Sequence, residues 1–337
     1  GGASEVGASC TLVEVAGKRI LVDAGVRMGE GDPLPDLAAL QEGGPIDLVL
    51  LTHAHTDHIG ALPLVHLAFP KVPVLTTAPS LALMRILLQD ALKIMEMRWG
   101  RERELPLYPE HAVEGLLGRV ETVAPCEAVP LLDGLVKATW TPSGHVLGAC
   151  SILLDTPDGR LLFTGDYSID RQRTVEGMLV PSGRVHAVIT EATYGNRIHV
   201  HRKSEEERLA RSVAAVVEGG GKVLIPAFAL GRAQEALLIL LDAQRRGQIP
   251  RFPVYVDGMV KSVCSVYAGF PEFLSQGLRK QVLRDGNPFF GEGLGRAVLP
   301  TQREELVKGE PCVFIASSGM LTGGPSCFYA QALAPDE

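Results

Sequence analysis

The stretch from Leu51 to Gly60 constrains this chain more than any other part of its sequence, because it places three histidines and an aspartate within six positions. These residues are His53, His55, Asp57 and His58. The mostly apolar run directly before them is typical of a buried strand, so the four side chains fall on the loop that leaves its carboxyl end. A loop fixed to a rigid sheet edge can hold several polar groups in one place.

Imidazole nitrogens together with a carboxylate are ligands that suit Zn²⁺. His53 and His55 lie two positions apart, so their side chains point the same way and can bind one ion. Asp57 and His58 follow after the chain turns and can reach a second ion beside the first. We therefore predict a two-metal hydrolytic site, in preference to a solvated polar loop.

Three more polar residues follow predicted extended segments elsewhere in the chain. His145 comes from a Gly-containing turn, while Asp166 and Asp23 each follow an apolar strand. Asp166 has two oxygens and can bridge two ions about 3.5–4 Å apart. Asp23 is interpreted as a group that orients a ligand histidine or the bound water. Each residue by itself is more typical of a structural role, and the histidine cluster is what favours the functional interpretation.

These residues resemble the ligand series of the metallo-β-lactamase superfamily. Glu191-Ala192-Thr193-Tyr194-Gly195 resembles the acidic motif that opens the β-CASP subgroup of nucleic-acid hydrolases, and residues 225–235 and 316–324 are similar to further segments of that subgroup. The best match is to the prokaryotic relatives of the cleavage and polyadenylation specificity factor endonuclease, with ribonuclease J more distant. The resemblance extends from Gly1 to the last residue.

The resemblance implies an α/β fold, in which a metallo-β-lactamase αββα sandwich over residues 1–203 carries an inserted, parallel-sheet β-CASP domain over residues 204–337. In this family the inserted domain caps the metal cleft, and a polynucleotide would run between the two. The sequence after residue 203 independently predicts a parallel sheet covered by helices, because strand and helix patterns alternate there.

Local patterns predict individual elements. We expect a hairpin from Cys10 to Ala24, a helix from Ser80 to Met97, a charged surface insertion over residues 99–117, and a hairpin around Pro157-Asp158-Gly159. Ser204, followed by three glutamates, predicts a helix N-cap.

The family resemblance implies zinc-dependent hydrolysis of RNA phosphodiester bonds with a 5′-phosphate product. His53, His55 and His145 would bind one Zn²⁺, Asp57 and His58 would bind the other, and Asp166 would bridge them. An activated water would attack phosphorus in line. We assign catalytic roles to Asp57, Asp23 and Glu191, of which Glu191 would position an acid histidine.

The family pattern continues past the end of this chain, where two further histidines are expected. The last histidine here is His201, and the chain does not begin with Met. We therefore interpret the sequence as part of a longer protein, in which the second ion is bound weakly or not at all by this portion alone. The alternative is a natural variant with a degraded site.

Two features of the second domain are compatible with phosphate binding. Ser317, Ser318 and Gly319 follow a predicted strand and are expected to open a helix over 321–333, so that free N–H groups would face a ligand. Arg232 begins another helix, an unfavourable position for a cation, which indicates an outside partner. A turn that serves packing alone and a plain surface arginine are the competing interpretations.

The overall sequence limits the class of protein. No apolar run approaches the ~18 residues of a membrane span, and the six cysteines form no Cys-x-x-Cys pair, as in a reduced cytoplasmic protein. The net charge of −7 argues against broad non-specific nucleic-acid binding, but not against cleavage of a single-stranded RNA. A small-molecule metallo-hydrolase of the thioesterase or lactamase type and a non-catalytic scaffold of an RNA-processing complex are the alternatives. The sequence does not decide between endonuclease and exonuclease action, and it does not decide whether the protein forms a homodimer.

Overall fold

The computed structural model describes residues 2–3, 5–27, 29 and 31–334, and the chain divides into two compact units. The first unit contains the residues up to Arg171 together with Gly177–Thr193, and the second contains Gln172–Glu176 together with the chain from Tyr194 onward. Gly1 and residues 335–337, at the two ends of the chain, lie outside the described residues.

The first unit begins with a five-stranded sheet. Its strands, in spatial order, are β1 (Thr11–Val15), β2 (Lys18–Val22), β3 (Leu48–Leu50), β4 (Val74–Thr77) and β5 (Val120–Val123). The predicted N-terminal hairpin is confirmed, since β1 and β2 pair antiparallel with Val15 opposite Lys18. The other neighbouring strands are parallel.

A second five-stranded sheet completes this unit. Its strands are β6 (Ala128–Leu131), β7 (Val136–Pro142), β8 (Cys150–Thr156), β9 (Gly159–Phe163) and β10 (Ala187–Ile189), in the spatial order β10-β9-β8-β7-β6. The predicted hairpin around Asp158 is confirmed, with Thr156 opposite Gly159 across β8 and β9. At the edge of the sheet, β10 pairs parallel with β9.

The core of the first unit lies between its two sheets. Ile20 and Leu50 of the first sheet pack in one buried cluster with Trp140 and Ile152 of the second. The indole N–H of Trp140 donates to the carbonyl oxygen of Leu51 at 3.0 Å, which ties β7 to the end of β3. Apolar packing and this hydrogen bond together hold the carboxyl end of β3 in place, directly before the histidine motif.

The helices of the first unit are α1 (Leu37–Glu42), α2 (Thr56–Ile59), α3 (Leu62–Ala68), α4 (Ala78–Glu102) and α5 (Glu110–Leu117). The helix predicted over Ser80–Met97 begins two residues earlier, because the Thr77 side chain accepts from the Ser80 N–H and caps it there, and it continues to Glu102. The predicted surface insertion over 99–117 is wrong for its second half. Within α5, Ala112, Val113 and Leu116 are buried, so this segment is an amphipathic helix.

The second unit contains a parallel sheet, as predicted. Its strands, in spatial order, are β11 (Val223–Pro226), β14 (Val313–Ala316), β12 (Val254–Asp257) and β13 (Arg296–Ala297). Its helices are α6 (Arg202–Glu218), α7 (Arg232–Arg245), α8 (Val260–Gly269), α9 (Gln276–Asp285), α10 (Arg303–Lys308) and α11 (Gly324–Leu333). All strand pairs in this sheet are parallel.

Two predicted helix starts in this unit are wrong. The first helix begins at Arg202 and not after Ser204, because an ion pair between Arg202 and Glu206 at 3.0 Å extends its first turn. The last helix begins at Gly324 and not at Leu321, because residues 318–323 form a loop in which the Ser318 N–H donates to the Gly323 carbonyl. None of the helices in the described part of the chain has the length and apolar character needed to cross a bilayer.

Candidate metal centre

The loop after β3 is anchored by backbone hydrogen bonds to the segments that precede β1 and follow β2. The Ala24 N–H donates to the His58 carbonyl at 2.8 Å, and the Ser9 N–H donates to the Asp57 carbonyl at 2.9 Å. A Cβ atom at Gly25 would lie only 1.6 Å from the Asp57 carbonyl oxygen. Position 25 therefore requires glycine, because any side chain would displace the loop that presents Asp57 and His58.

Three histidines and one aspartate converge at the edges of the two sheets. His53 and His55 follow β3, His145 follows β7, and Asp166 follows β9. One donor atom of each of the four side chains lies within 4.8 Å of the others. All four were predicted from the sequence, and the fold brings them together across as many as 113 positions of the chain, from His53 to Asp166.

The distances between the donor atoms of this group fit the ligand spacing of a tetrahedrally coordinated metal ion. His55 Nδ1 lies 3.1 Å from His53 Nε2 and 3.0 Å from His145 Nε2. Asp166 Oδ2 lies 3.3 Å from His145 Nε2 and 3.8 Å from His53 Nε2. Zn–N bonds of 2.0–2.1 Å in a tetrahedron separate neighbouring ligands by about 3.3 Å, within the range that these pairs span. The donor set suits zinc, since three imidazoles and a carboxylate are among its preferred ligands.

A second group of donors lies on the other side of Asp166. His58 Nε2 is 3.4 Å from Asp166 Oδ1 and 4.0 Å from Asp57 Oδ2. The two oxygens of Asp166 thus face different partners, Oδ2 towards His53 and His145 and Oδ1 towards His58. This is the arrangement expected of a carboxylate that bridges two ions.

Asp23 and Thr52 form hydrogen bonds with the Nδ1 atoms of His58 and His53. Asp23 Oδ2 accepts from His58 Nδ1 at 2.7 Å, and the same carboxylate accepts from the Thr52 N–H and hydroxyl at 2.8 and 2.7 Å. Because the Thr52 hydroxyl donates to Asp23, it accepts from His53 Nδ1, which lies 3.0 Å away. Nδ1 of both imidazoles is therefore protonated and faces its hydrogen-bond acceptor, so Nε2 is the atom that faces the site and can bind metal once it carries no proton. Thr52 was not predicted from the sequence, in which its only signal was its place directly before His53.

The buried histidines differ in charge. Burial, together with the neighbouring His58, His145 and His55, holds the pKa of His53 well below its usual value. Burial also disfavours the charged form of His58, but the Asp23 carboxylate and the contact with Asp166 outweigh it and raise the pKa of His58 well above its usual value. Burial acts to raise the pKa of Asp166, and the hydrogen bond from His58 with the surrounding imidazoles lowers it to about 2. Asp166 is thus anionic, as a carboxylate that binds metal must be.

Two family profiles match this chain. The profile described as "Metallo-beta-lactamase superfamily" matches residues 3–193, which is more than half of the chain. This chain belongs to the metallo-β-lactamase superfamily. A second profile, described as "Beta-Casp domain", matches residues 233–337. The fold class predicted from the sequence, a metallo-β-lactamase sandwich with a β-CASP domain, is confirmed.

Several curated relatives of this chain are named transcription termination factor FttA. Those of Methanocaldococcus jannaschii and Methanosarcina mazei are each 35% identical, over all of this chain and 54% and 53% of the relative. That of Lokiarchaeum sp. is 33% identical, over all of this chain and 53% of the relative. The chain thus spans about half the length of the curated relatives it matches.

A solved structure is similar in fold alone. The crystal structure of a protein of unknown function from Enterococcus faecalis V583 is 14% identical, with a TM-score of 0.50 over 93% of this chain and 75% of that one.

Glu191 of the β-CASP acidic motif lies in the first unit, close to the chain that leaves Asp166. Its carboxylate accepts from the Thr193 N–H at 3.1 Å and from the N–H of Tyr167, the residue after Asp166, at 3.5 Å. The side chain is half-buried. These contacts place Glu191 beside the loop that carries Asp166, and its catalytic role stays a prediction.

The predicted phosphate contacts lie in the second unit. Arg232 is exposed as the first residue of α7, and its side chain makes no hydrogen bond or ion pair with any residue that the structure describes. The Ser318 hydroxyl accepts from the Thr322 N–H at 3.1 Å, and Ser318 N–H is occupied by Gly323. The expectation of a free N–H at Ser318 that opens a helix is therefore wrong, because the loop closes on itself first. Phosphate binding by Ser317, Ser318, Gly319 and Arg232 stays a prediction.

Proposed function

We propose that this chain contributes the metal site of a zinc-dependent ribonuclease that hydrolyses RNA phosphodiester bonds and leaves a 5′-phosphate. One observation supports this most, namely that Asp166 lies between two groups of metal-ligating side chains with one oxygen towards each. Two adjacent ions are the arrangement used by phosphodiesterases for in-line displacement. When bound, the ions would activate a water near neutral pH and neutralise charge on the phosphate oxygens.

In this proposal some residues would bind the metal ions, and others would orient the residues that bind them. His53, His55 and His145 would hold the first ion with Asp166, while Asp57 and His58 would hold the second. Asp23 and Thr52 would keep the imidazoles in the tautomer that binds metal. Glu191 would position a proton donor for the leaving group. The first ion has four donors in this chain and the second has three, so we expect the first to bind more tightly.

RNA is the substrate class that the comparisons favour. The relatives are named transcription termination factors, and transcription termination acts on a nascent transcript. The β-CASP match over residues 233–337 accompanies the metal domain. We propose that the metal chemistry belongs to residues 1–203 and that residues 204–337 bind single-stranded RNA, with Arg232 and Ser317–Gly319 as phosphate contacts. We propose a cytoplasmic location. Whether the chain acts as an endonuclease or an exonuclease, and whether it forms a homodimer, are questions for experiment.

Metal content and cleavage assays test this proposal together. Purified protein, both this chain and its longest natural form, would be analysed for zinc and incubated with labelled single-stranded RNA, single-stranded DNA and a thioester. We expect bound zinc and cleavage of RNA, with both lost in Asp166→Ala. His111→Ala, a change at an exposed histidine of α5, serves as the matched control and should behave as the wild type.

The other outcomes would identify the alternatives. Cleavage of the thioester without cleavage of RNA would indicate a small-molecule hydrolase. A protein in which both forms bind no zinc and cleave nothing would indicate a scaffold.

A further inference from the structure

A five-residue segment, Gln172–Glu176, belongs to the second unit although the residues on both sides of it belong to the first. We call this segment the strap. It lies in a stretch, residues 164–186, that the structure describes throughout and that contains no helix or strand. Thr174 and Val175 in the strap are 1% and 5% exposed. A loop of this length without regular structure needs other anchors to adopt one conformation.

Charged hydrogen bonds hold Arg173 of the strap. Its Nε and Nη2 donate to Glu206 of α6 at 2.9 and 2.6 Å, and its Nη1 donates to Asp242 of α7 at 2.7 Å. Asp242 is 6% exposed, so these bonds form where water competes weakly. The Arg173 guanidinium is therefore fixed by two helices of the second unit at once.

The backbone of the strap is also held by hydrogen bonds to helices of the second unit. Glu235 of α7, which is buried, accepts from the N–H groups of Arg173 and Thr174 at 3.0 and 2.8 Å and from the Thr174 hydroxyl at 2.6 Å. Ser275, the N-cap of α9, donates through its hydroxyl to the Arg173 carbonyl and through its N–H to the Thr174 carbonyl, both at 2.8 Å. The strap thus has one position in the second unit.

The chain that enters and leaves the strap is tied to the metal site of the first unit. Asp166 precedes the strap by six residues, and its carbonyl accepts from the Ser143 hydroxyl at 2.8 Å. The Ser168 N–H donates to the Ser143 carbonyl at 2.9 Å, and the Met178 N–H donates to the Ser168 carbonyl at 2.7 Å. Ser143, two residues before His145, therefore holds the first end of the loop, and the second end is hydrogen-bonded to the first.

We propose that Arg173 and Thr174 are positioning residues for Asp166, because they fix the loop on which Asp166 lies. A bridging carboxylate must be held within about 0.5 Å of its place, and Asp166 lies on a loop and not within a strand. The strap fixes the far part of that loop as Ser143 fixes its base. This inference rests on the proposed function, because it requires that Asp166 ligates metal.

The variant Arg173→Ala/Thr174→Val tests the strap without leaving a buried charge unpaired. Glu206 keeps Arg202 at 3.0 Å and Asp242 keeps Arg245 at 2.6 Å, while valine preserves the shape of Thr174. Arg208→Ala is the matched control, since it removes an ion pair with Glu205 on the exposed side of α6. Zinc affinity would be measured by competition with a chromophoric chelator, well below the unfolding temperature, and thermal unfolding would be followed by circular dichroism.

We expect the double variant to bind zinc roughly 10-fold more weakly, at the lower end of the effect of removing a contact that orients a ligand. Arg208→Ala should bind as the wild type does, and Arg173→Lys with Thr174 intact should recover most of the affinity. A double variant that unfolds at a lower temperature yet binds zinc as tightly as the wild type would show that the strap is structural only, and would overturn the inference. A wild type without zinc would overturn the proposed function first, and the inference with it.

Discussion

Asp23 Oδ2 lies 2.7 Å from His58 Nδ1, and this contact connects the first hairpin of the chain to the metal-binding loop. Asp23 has left-handed backbone geometry (φ 59°) at the end of β2, a conformation that aspartate tolerates better than most residues. In this conformation its carboxylate accepts hydrogen bonds from both His58 and Thr52. The contact decides which nitrogen of His58 faces the site.

Asp23→Asn should weaken metal binding by about 10- to 100-fold, because the amide cannot accept all the hydrogen bonds that the carboxylate accepts and leaves the His58 tautomer unfixed. Chelator competition would measure the effect. Asp155→Asn is a suitable control, since Asp155 pairs with Arg160 away from the metal site. Equal affinities for the wild type and Asp23→Asn would show that Asp23 does not orient a ligand.

Metal binding at His58 should weaken as the pH falls. In the metal-free protein the pKa of His58 is raised well above 6.5, so an imidazolium persists at neutral pH and an ion must displace its proton. Affinity should rise about tenfold per pH unit until the pH passes the raised pKa, and then level off. Calorimetry in two buffers of different ionisation enthalpy would count the protons released. Asp23→Asn should release fewer protons at neutral pH, and proton release unaffected by that substitution would contradict the assignment.

Asp57→Ala should abolish cleavage of labelled RNA while the protein stays folded. The Asp57 side chain is 29% exposed and does not belong to the core, but it is one of the three donors of the second group. Steady-state cleavage and circular dichroism would report activity and folding. Asp158→Ala, in the exposed turn between β8 and β9, should leave both unchanged. Near-normal turnover in Asp57→Ala would exclude the two-ion mechanism.

Gly25→Ala should destabilise the first unit by about 1–3 kcal/mol and reduce its metal content, because the new methyl group would collide with the Asp57 carbonyl. Gly100→Ala provides the opposite case. Gly100 lies within α4 with open space around it, so alanine there should stabilise the protein by about 0.5–1 kcal/mol. Urea unfolding of the three proteins would test both, and a Gly25→Ala protein as stable as the wild type would show that the loop can move without cost.

Local patterns in the sequence determined which segments become strands and where polar residues interrupt them. The apolar run before His53 is a strand that ends at Leu50, the hairpins at Gly17 and Asp158 form as expected, and the second unit is a parallel sheet. These features depend on side-chain alternation and turn residues that lie close together in the chain. For the same reason the motif His53-x-His55-x-Asp57-His58 could be interpreted as a metal-binding loop.

The tertiary structure decided which residues meet. The approach of His145 and Asp166 to His53 depends on the packing of two sheets around Trp140, and the role of Thr52 depends on the approach of Asp23. Arg173 meets Glu206 and Asp242 across 33 and 69 positions of the chain. Glu110–Leu117 became a helix because it could bury an apolar side, although its flanking charges suggested a surface loop. Contacts of this kind arise from packing over long sequence separations, and no local pattern specifies them.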